Sequence, residues 1–204
     1  MRLFVAINLP DHFLHGISKL VEQLRASAYG VRWARLENIH LTLKFLGEVT
    51  PPQVEDVISS LAGCLADKSV VELRLVGMGV FPDVRRPRVV WLGVGGNRAL
   101  SNLEEIHRDV DEGLARLGFE PDARPFRPHM TIGRMRRVRG KGAGGRAGNG
   151  VLVGARLERL LERVDAPDEA FRVDSIELME SVLGPSGAKY ATVSSFALNP
   201  AWGE

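Results

Sequence analysis

Leu3, Val5, Ile7 and Leu9 alternate with Phe4, Ala6 and Asn8, a period of two that is apolar on nearly both faces and predicts a central strand. Pro10-Asp11 then opens a helix in which Leu14, Ile17, Leu20, Val21 and Leu24 recur at three- and four-residue steps. Strand character returns over residues 40 to 46. Thr50-Pro51-Pro52-Gln53 is a second helix start: threonine can cap, proline suits the first turn, and Gln53 can reach back to the cap. Val54, Val57, Ile58, Leu61 and Leu65 continue it. Val71, Leu73 and Leu75 alternate with Glu72 and Arg74, a half-exposed strand closed by the turn Phe81-Pro82-Asp83.

The same order then starts again. Val89 to Val94 is a strand, and Leu100, Leu103, Ile106, Val110, Leu114 and Leu117 mark a helix stopped by Gly118. A strand at 129 to 133 and a helix at about 152 to 164 follow. Strand-like segments 172 to 181 and 189 to 197 are joined by Gly184-Pro185-Ser186-Gly187, a hairpin-type connection. Each half, about 1–85 and 86–204, thus reads strand, helix, strand, helix, strand. The pattern predicts one domain, 1–204, with repeat-like halves. Gly140 to Gly150 breaks the correspondence, since its glycine content suits neither helix nor packed strand; residues 139–150 are read as a flexible loop.

Composition narrows the function classes. With 27 basic and 25 acidic residues the net charge is +2, far below that of a protein that coats nucleic acid. No apolar run approaches the roughly 20 residues that cross a bilayer, and the first ten residues lack the pattern of a signal peptide. Cys64 alone cannot form an internal disulfide and reads as a small buried hydrophobe in a reducing cytoplasm. Residues 124 to 139 hold Arg124, Arg127, Arg134, Arg136, Arg137 and Arg139 with no acid among them, a run that either meets phosphate or is solvated surface.

Inside that run lies His129-Met130-Thr131-Ile132-Gly133-Arg134, and the first half contains His40-Leu41-Thr42-Leu43-Lys44-Phe45. On a strand, residues two apart share a face, so each histidine and threonine point one way while Leu41, Leu43, Met130 and Ile132 point into the core. One such motif is common by chance. Its repetition at the same place in each half is not easily so, because spacing, apolar alternation and position all recur. Two imidazoles that titrate near neutrality can serve as general base and general acid. Threonine hydroxyls and arginine can hold a phosphoryl group and its developing charge. This constellation suits cleavage of a phosphodiester. A metal site lacks third and fourth ligands, since no acid lies within either motif and His12, His15 and His107 sit on helical segments as surface or packing residues. No metal or cofactor is expected, and no Gly-x-Ser-x-Gly elbow supports a serine nucleophile.

These motifs carry a specific resemblance. Arg2 to Ile7, Glu37 to Gly47, Arg86 to Gly93, Phe126 to Arg134 and the tail from Glu180 to Tyr190 are similar to segments of the two-histidine phosphoesterase superfamily. Within it, the chain resembles the RNA 2′,3′-cyclic phosphodiesterases formerly called 2′-5′ RNA ligases. The resemblance implies a bilobal α+β fold: two pseudo-twofold-related lobes of antiparallel sheet with outer helices, and the His-x-Thr strands facing each other across a cleft. It implies that His40 donates a proton to the leaving oxygen, that His129 activates water, and that Thr42, Thr131 and Arg134 hold the phosphate.

The expected substrate is RNA or a nucleotide bearing a 2′,3′-cyclic phosphate, opened to a 2′-phosphomonoester. ATP-independent 2′-5′ ligation by the reverse reaction and non-catalytic binding of cyclic-phosphate ends are the alternatives. Arg134, at an odd offset from His129, needs a bulge or strand end at Gly133 to face the cleft. Lys44 has the parity of His40 and Thr42 and is a candidate contact, as is Arg127. Base recognition falls to loops and aromatics such as Phe45, Trp33 or Tyr190. A cytoplasmic monomer with no obligate protein partner and no membrane association is expected.

Overall fold

The computed structural model describes residues 1–27, 30–136, 157, 159–161, 170–184 and 187–200. The chain runs β1 (Arg2–Asn8), α1 (Asp11–Ser27), β2 (Val31–Trp33), a 3₁₀ turn (Leu36–Asn38), β3 (His40–Glu48), α2 (Pro51–Leu65), β4 (Val71–Phe81), β5 (Val89–Gly95) and α3 (Asn97–Ala115). It continues through β6 (His129–Met135), β7 (Ala170–Val173), β8 (Ser175–Gly184) and β9 (Gly187–Ala197). The fold is α+β, with every strand pairing antiparallel. The predicted loop at 139–150 and most of the predicted helix at 152–164 lie outside the described residues; Leu157 and residues 159–161 are helical.

Local chemistry explains the boundaries. At the start of α2 the Thr50 backbone N–H donates to Gln53 Oε1 at 3.0 Å, the reach-back that the sequence predicts. The segment read as one strand from 172 to 181 is two: β7 pairs with β4, and β8 pairs with β1 and β9. The chain changes partners at Asp174, whose carbonyl accepts from the Leu198 N–H at 2.8 Å. β2 was not predicted, since three residues are too few to show a period.

The strands follow the order β7-β4-β5-β6-β3-β1-β8-β9, with β2 pairing β6 off this path. Between β6 and β3 the ladder is a single pair, Leu41 with Met130, so two groups of four strands meet at one point. The order is symmetric about that point: β3 answers β6, β1 answers β5, β8 answers β4, and β9 answers β7. The last regular strand of the first half, β4, therefore lies with β5, while β8 from the second half lies with β1. Each half lends strands to the other's sheet.

β1 is buried on both faces, as its pattern predicts. Leu3, Val5 and Ile7 join the main core with Ile17, Leu24, Val57, Leu61, Leu103 and Val110 from the helices and Leu41, Leu92, Met130 and Ile132 from neighbouring strands. Phe4 and Ala6 face the other way, in a small cluster with Met179 against which Tyr190 packs. Burying each large aliphatic side chain contributes about 1.5–3 kcal/mol relative to exposure. A one-residue slip of β3 or β6 would forfeit several of these at once, so register at the meeting point is strongly fixed. No helix of the described residues is long and apolar enough to cross a membrane.

Candidate active site

The Leu41–Met130 pair sets the register of the two His-x-Thr strands. Continued one residue each way, that antiparallel register puts His40 opposite Thr131 and Thr42 opposite His129. The motifs thus run side by side in opposite directions, each histidine nearest the other's threonine, and the pseudo-twofold axis passes through their buried central residues. Leu41 and Met130 are both fully buried, while His40, Thr42, His129 and Thr131 are half-buried on the opposite face.

Each strand is bulged three residues after its histidine. On β3, Ala6 pairs with Thr42 and Val5 with Lys44, leaving Leu43 unmatched. On β6, Trp91 pairs with Thr131 and Val90 with Gly133, leaving Ile132 unmatched. An extra residue reverses the parity of the residues after it, on β3 as far as a second bulge at Leu46. Phe4 and Ala6 share a face of β1, so their partners Phe45 and Thr42 share one as well. Val89 and Trp91 share a face of β5, so Arg134 and Thr131 do too. The bulge needed to turn Arg134 toward the cleft is present, at Ile132 and Gly133. Gly133 accepts no side chain: a Cβ there would lie 2.7 Å from Val31 Cγ1.

The same device overturns the reading of Lys44. Its side chain is 2% exposed and lies behind the sheet, in ion pairs with Asp111 of α3 and with Asp122 at 3.7 Å, while Nζ donates to the Glu120 carbonyl at 2.5 Å. Two-residue parity fails because the bulge intervenes. Phe45 takes the cleft position instead, 70% exposed, its ring centroid 6.0 Å from that of Phe4. Where β6 presents Arg134 after its bulge, β3 presents Phe45.

Both histidines are braced by the main chain two residues upstream. His129 Nδ1 donates to the Arg127 carbonyl at 2.6 Å, which leaves Nε2 as the nitrogen open to a reactant. His40 makes a corresponding hydrogen bond to the backbone of Asn38. Arg127 itself is exposed, and its carbonyl is the part that touches the site. Each imidazole also meets aromatic edges. His40 lies 4.9 Å from Phe4 and 5.0 Å, edge to face, from Tyr190. His129 lies 4.9 Å, edge to face, from Phe81, which stacks on Trp91. Phe4 and Phe81 were missed by sequence reasoning, which assigns a strand phenylalanine to packing and had placed Phe81 in a turn. An open cavity of about 480 Å³ adjoins Trp91, lined by Met78, Gly79, Val80, Asp83, Val84 and Leu161; neither histidine borders it.

His12 and His15 are exposed on α1. His107 is a packing residue, stacked on Phe126 at 4.0 Å with Nε2 3.4 Å from Asp122.

Burial holds the His40 imidazole down at about 4; the hydrogen bond to Asn38 opposes this shift, and the nearby Arg134 guanidinium adds to it. The neutral ring therefore stabilises the fold fully above its ordinary value of 6.5, and that contribution drains away as pH falls toward 4. Urea unfolding midpoints should drop between pH 6.5 and 4 in the natural chain and drop less steeply in His40→Gln. Parallel curves would refute the assignment.

Comparison with known proteins agrees with this arrangement. The family described as "LigT like Phosphoesterase" matches residues 7–91 and 96–190, one span in each half. The RNA 2′,3′-cyclic phosphodiesterase of Methanocaldococcus jannaschii is 31% identical over 199 residues, covering 96% of this chain and all of the relative. Its namesake from Thermotoga maritima is 30% identical over 93% of this chain and 91% of the relative. Among solved structures, TT0787 of Thermus thermophilus superposes with a TM-score of 0.73 at 24% identity over 98% of this chain and all of that one. Escherichia coli LigT complexed with 3′-AMP superposes with a TM-score of 0.71 at 23% identity over 97% of both chains. With one matched span per half and one His-x-Thr strand in each span, the chain belongs to the LigT-like phosphoesterase family.

Proposed function

We propose that the protein hydrolyses the 2′,3′-cyclic phosphate at the end of an RNA, leaving a 2′-phosphate, and that it does so without a metal ion. The observation that carries this reading is the two-fold placement of His40 with Thr42 and His129 with Thr131, each imidazole braced by the main chain two residues before it. The relatives' shared name, RNA 2′,3′-cyclic phosphodiesterase, supports the substrate class. The reading treats the chain as one domain whose halves enclose a single site.

In the proposed step, water attacks phosphorus in line while His129 Nε2 takes its proton. The bond from phosphorus to the 3′ oxygen breaks, and His40 gives that oxygen a proton. Thr42 and Thr131 donate hydrogen bonds to the non-bridging oxygens, and Arg134 balances their charge. In the free protein His40 is held neutral at pH 7, so it acquires its proton as the substrate arrives. The phosphate's negative charge offsets Arg134 and favours the imidazolium. Phe45, exposed beside Phe4, offers its face to the terminal base.

Incubating the protein in EDTA with an oligoribonucleotide ending in 2′,3′-cyclic phosphate tests the reading. A 2′-phosphomonoester product is expected. Loss of activity in EDTA would overturn the metal-free step. Ligated product with an added 5′-hydroxyl strand, and no hydrolysis, would reassign the reaction. Phe45→Ala should raise KM about tenfold, the equivalent of about 1.4 kcal/mol of stacking, with kcat little changed.

A further inference from the structure

We propose that Arg32 binds the internucleotide phosphate next to the reacting end, so that the protein favours an oligonucleotide over a cyclic mononucleotide. The inference rests on the proposed cyclic phosphodiesterase reading and adds to it a second phosphate position.

Arg32 sits on β2, directly paired with Arg134 of β6. Arg134 pairs in turn with Val89 of β5, and Val89 with Phe81 of β4. Directly paired antiparallel residues share a face, so Phe81, Val89, Arg134 and Arg32 form one row across four strands on the side that carries His129 and Thr131. The row begins at the aromatic ring against His129 and ends in two cations. Beyond Arg32 there is no further strand among the described residues, since β2 pairs β6 alone. Arg32 is thus the exposed outer end of the cleft floor, where a bound strand would leave the site.

Like charges directly opposite on neighbouring strands are destabilising unless something anionic lies between them. Among the described residues, no carboxylate pairs with Arg32 or Arg134. Other exposed arginines do find one: Arg35 meets Glu37 at 3.9 Å, and Arg108 meets Asp109 at 3.3 Å. Several exposed arginines elsewhere among the described residues also lack one; what distinguishes this row is that two guanidiniums on directly paired residues share a missing anion. Charge matching indicates what it is. A cyclic phosphodiester carries one negative charge, which Arg134 and a protonated imidazole already exceed. A second guanidinium, one strand spacing of about 4.8 Å further out, calls for a second anion, and an RNA end offers one in its first internucleotide phosphate. Arginine suits that contact because its fork engages two phosphate oxygens at once.

The experiment compares Arg32→Gln with the natural chain on a short oligoribonucleotide 2′,3′-cyclic phosphate and on a 2′,3′-cyclic mononucleotide. Arg35→Gln serves as the control for loss of a nearby surface charge. Arg32→Gln should lower kcat/KM on the oligonucleotide about tenfold, change it less than roughly twofold on the mononucleotide, and flatten the log–log salt dependence on the oligonucleotide by about 0.7. Arg32→Lys should recover part of the loss. An equal effect on both substrates, no effect on either, or the same effect from Arg35→Gln would overturn the proposal. Fluorescence anisotropy with a 2′-phosphorylated oligonucleotide reads binding without turnover, so a chain that hydrolyses neither substrate still decides it. Weaker binding in Arg32→Gln supports the phosphate contact while the hydrolytic reading fails; unchanged binding removes the contact itself.

Discussion

Changing His129 to alanine should lower kcat on a cyclic-phosphate RNA end by about 10²–10⁴-fold, the usual worth of one general acid or base. The fold should be unaffected. His129 is half-buried, and its ring makes one hydrogen bond to a backbone carbonyl and one edge contact to Phe81, so few packing contacts depend on it. His40→Gln should be as damaging to catalysis, though it also removes a ring held between Phe4 and Tyr190. Combining the two should cost little more than either alone, because groups that act in one proton-transfer step are strongly non-additive. The measurements are single-turnover rates with circular dichroism and thermal unfolding of each variant. A rate within tenfold of the natural protein, in either variant, would end the acid–base assignment.

The second large effect is expected behind the sheet. Lys44→Met removes the cation from a mostly buried cluster in which Asp111, with 16% of its side chain exposed, accepts from Lys44 Nζ and from the Asp122 backbone N–H at 3.2 Å. Breaking a buried pair by deleting one partner costs about 3–5 kcal/mol, which in a chain of this size lowers Tm by roughly 10 °C. Activity should fall as well. Glu120 and Asp122, which Lys44 holds, belong to the segment that leads through Phe126 and Arg127 to His129. Adding Asp111→Leu to Lys44→Met should recover part of the stability, because the carboxylate then left without Lys44, that of Asp122, is 46% exposed. Urea unfolding of the natural chain and the two variants checks this, and a loss below about 1 kcal/mol in Lys44→Met would show that the pair is solvated after all.

The contrast between Lys44 and Phe45 shows how far the sequence could be read. The motif histidines and threonines were legible because they precede the bulges, where alternate residues still share a face. Past Leu43 and Ile132 parity reverses, and neither residue announces this, since an unmatched aliphatic in a bulge looks the same as a matched one. Gly133 hinted at it on β6, and β3 carries no such hint because Lys44 occupies the equivalent place. Strand identity was legible for the same reason that strand partnership was not. Alternation records which side of a strand is wet, whereas pairing depends on where the chain returns. That β4 belongs with β5, and β8 with β1, is set by the crossing of the chain between sheets. The split at Asp174 was hidden because β7 and β8 are both apolar and Asp174 alone separates Val173, the partner of Val71, from Ser175 at the start of β8.

That crossing limits how the chain could be divided. A polypeptide ending near residue 85 would hold β4 with none of its partners and would leave one edge of β1 open. The remaining fragment would have the complementary defect, with β8 lacking β1 and β5 lacking β4. Exposed edges of this kind invite pairing with other chains, so the two fragments should be insoluble apart and should reassemble when mixed. A shorter polypeptide with one His-x-Thr strand could build the same site only as a closed two-fold dimer, its subunits trading their last strands. In the single chain, covalent linkage makes that exchange permanent. It also frees the two copies to differ, with a phenylalanine after one bulge and an arginine after the other.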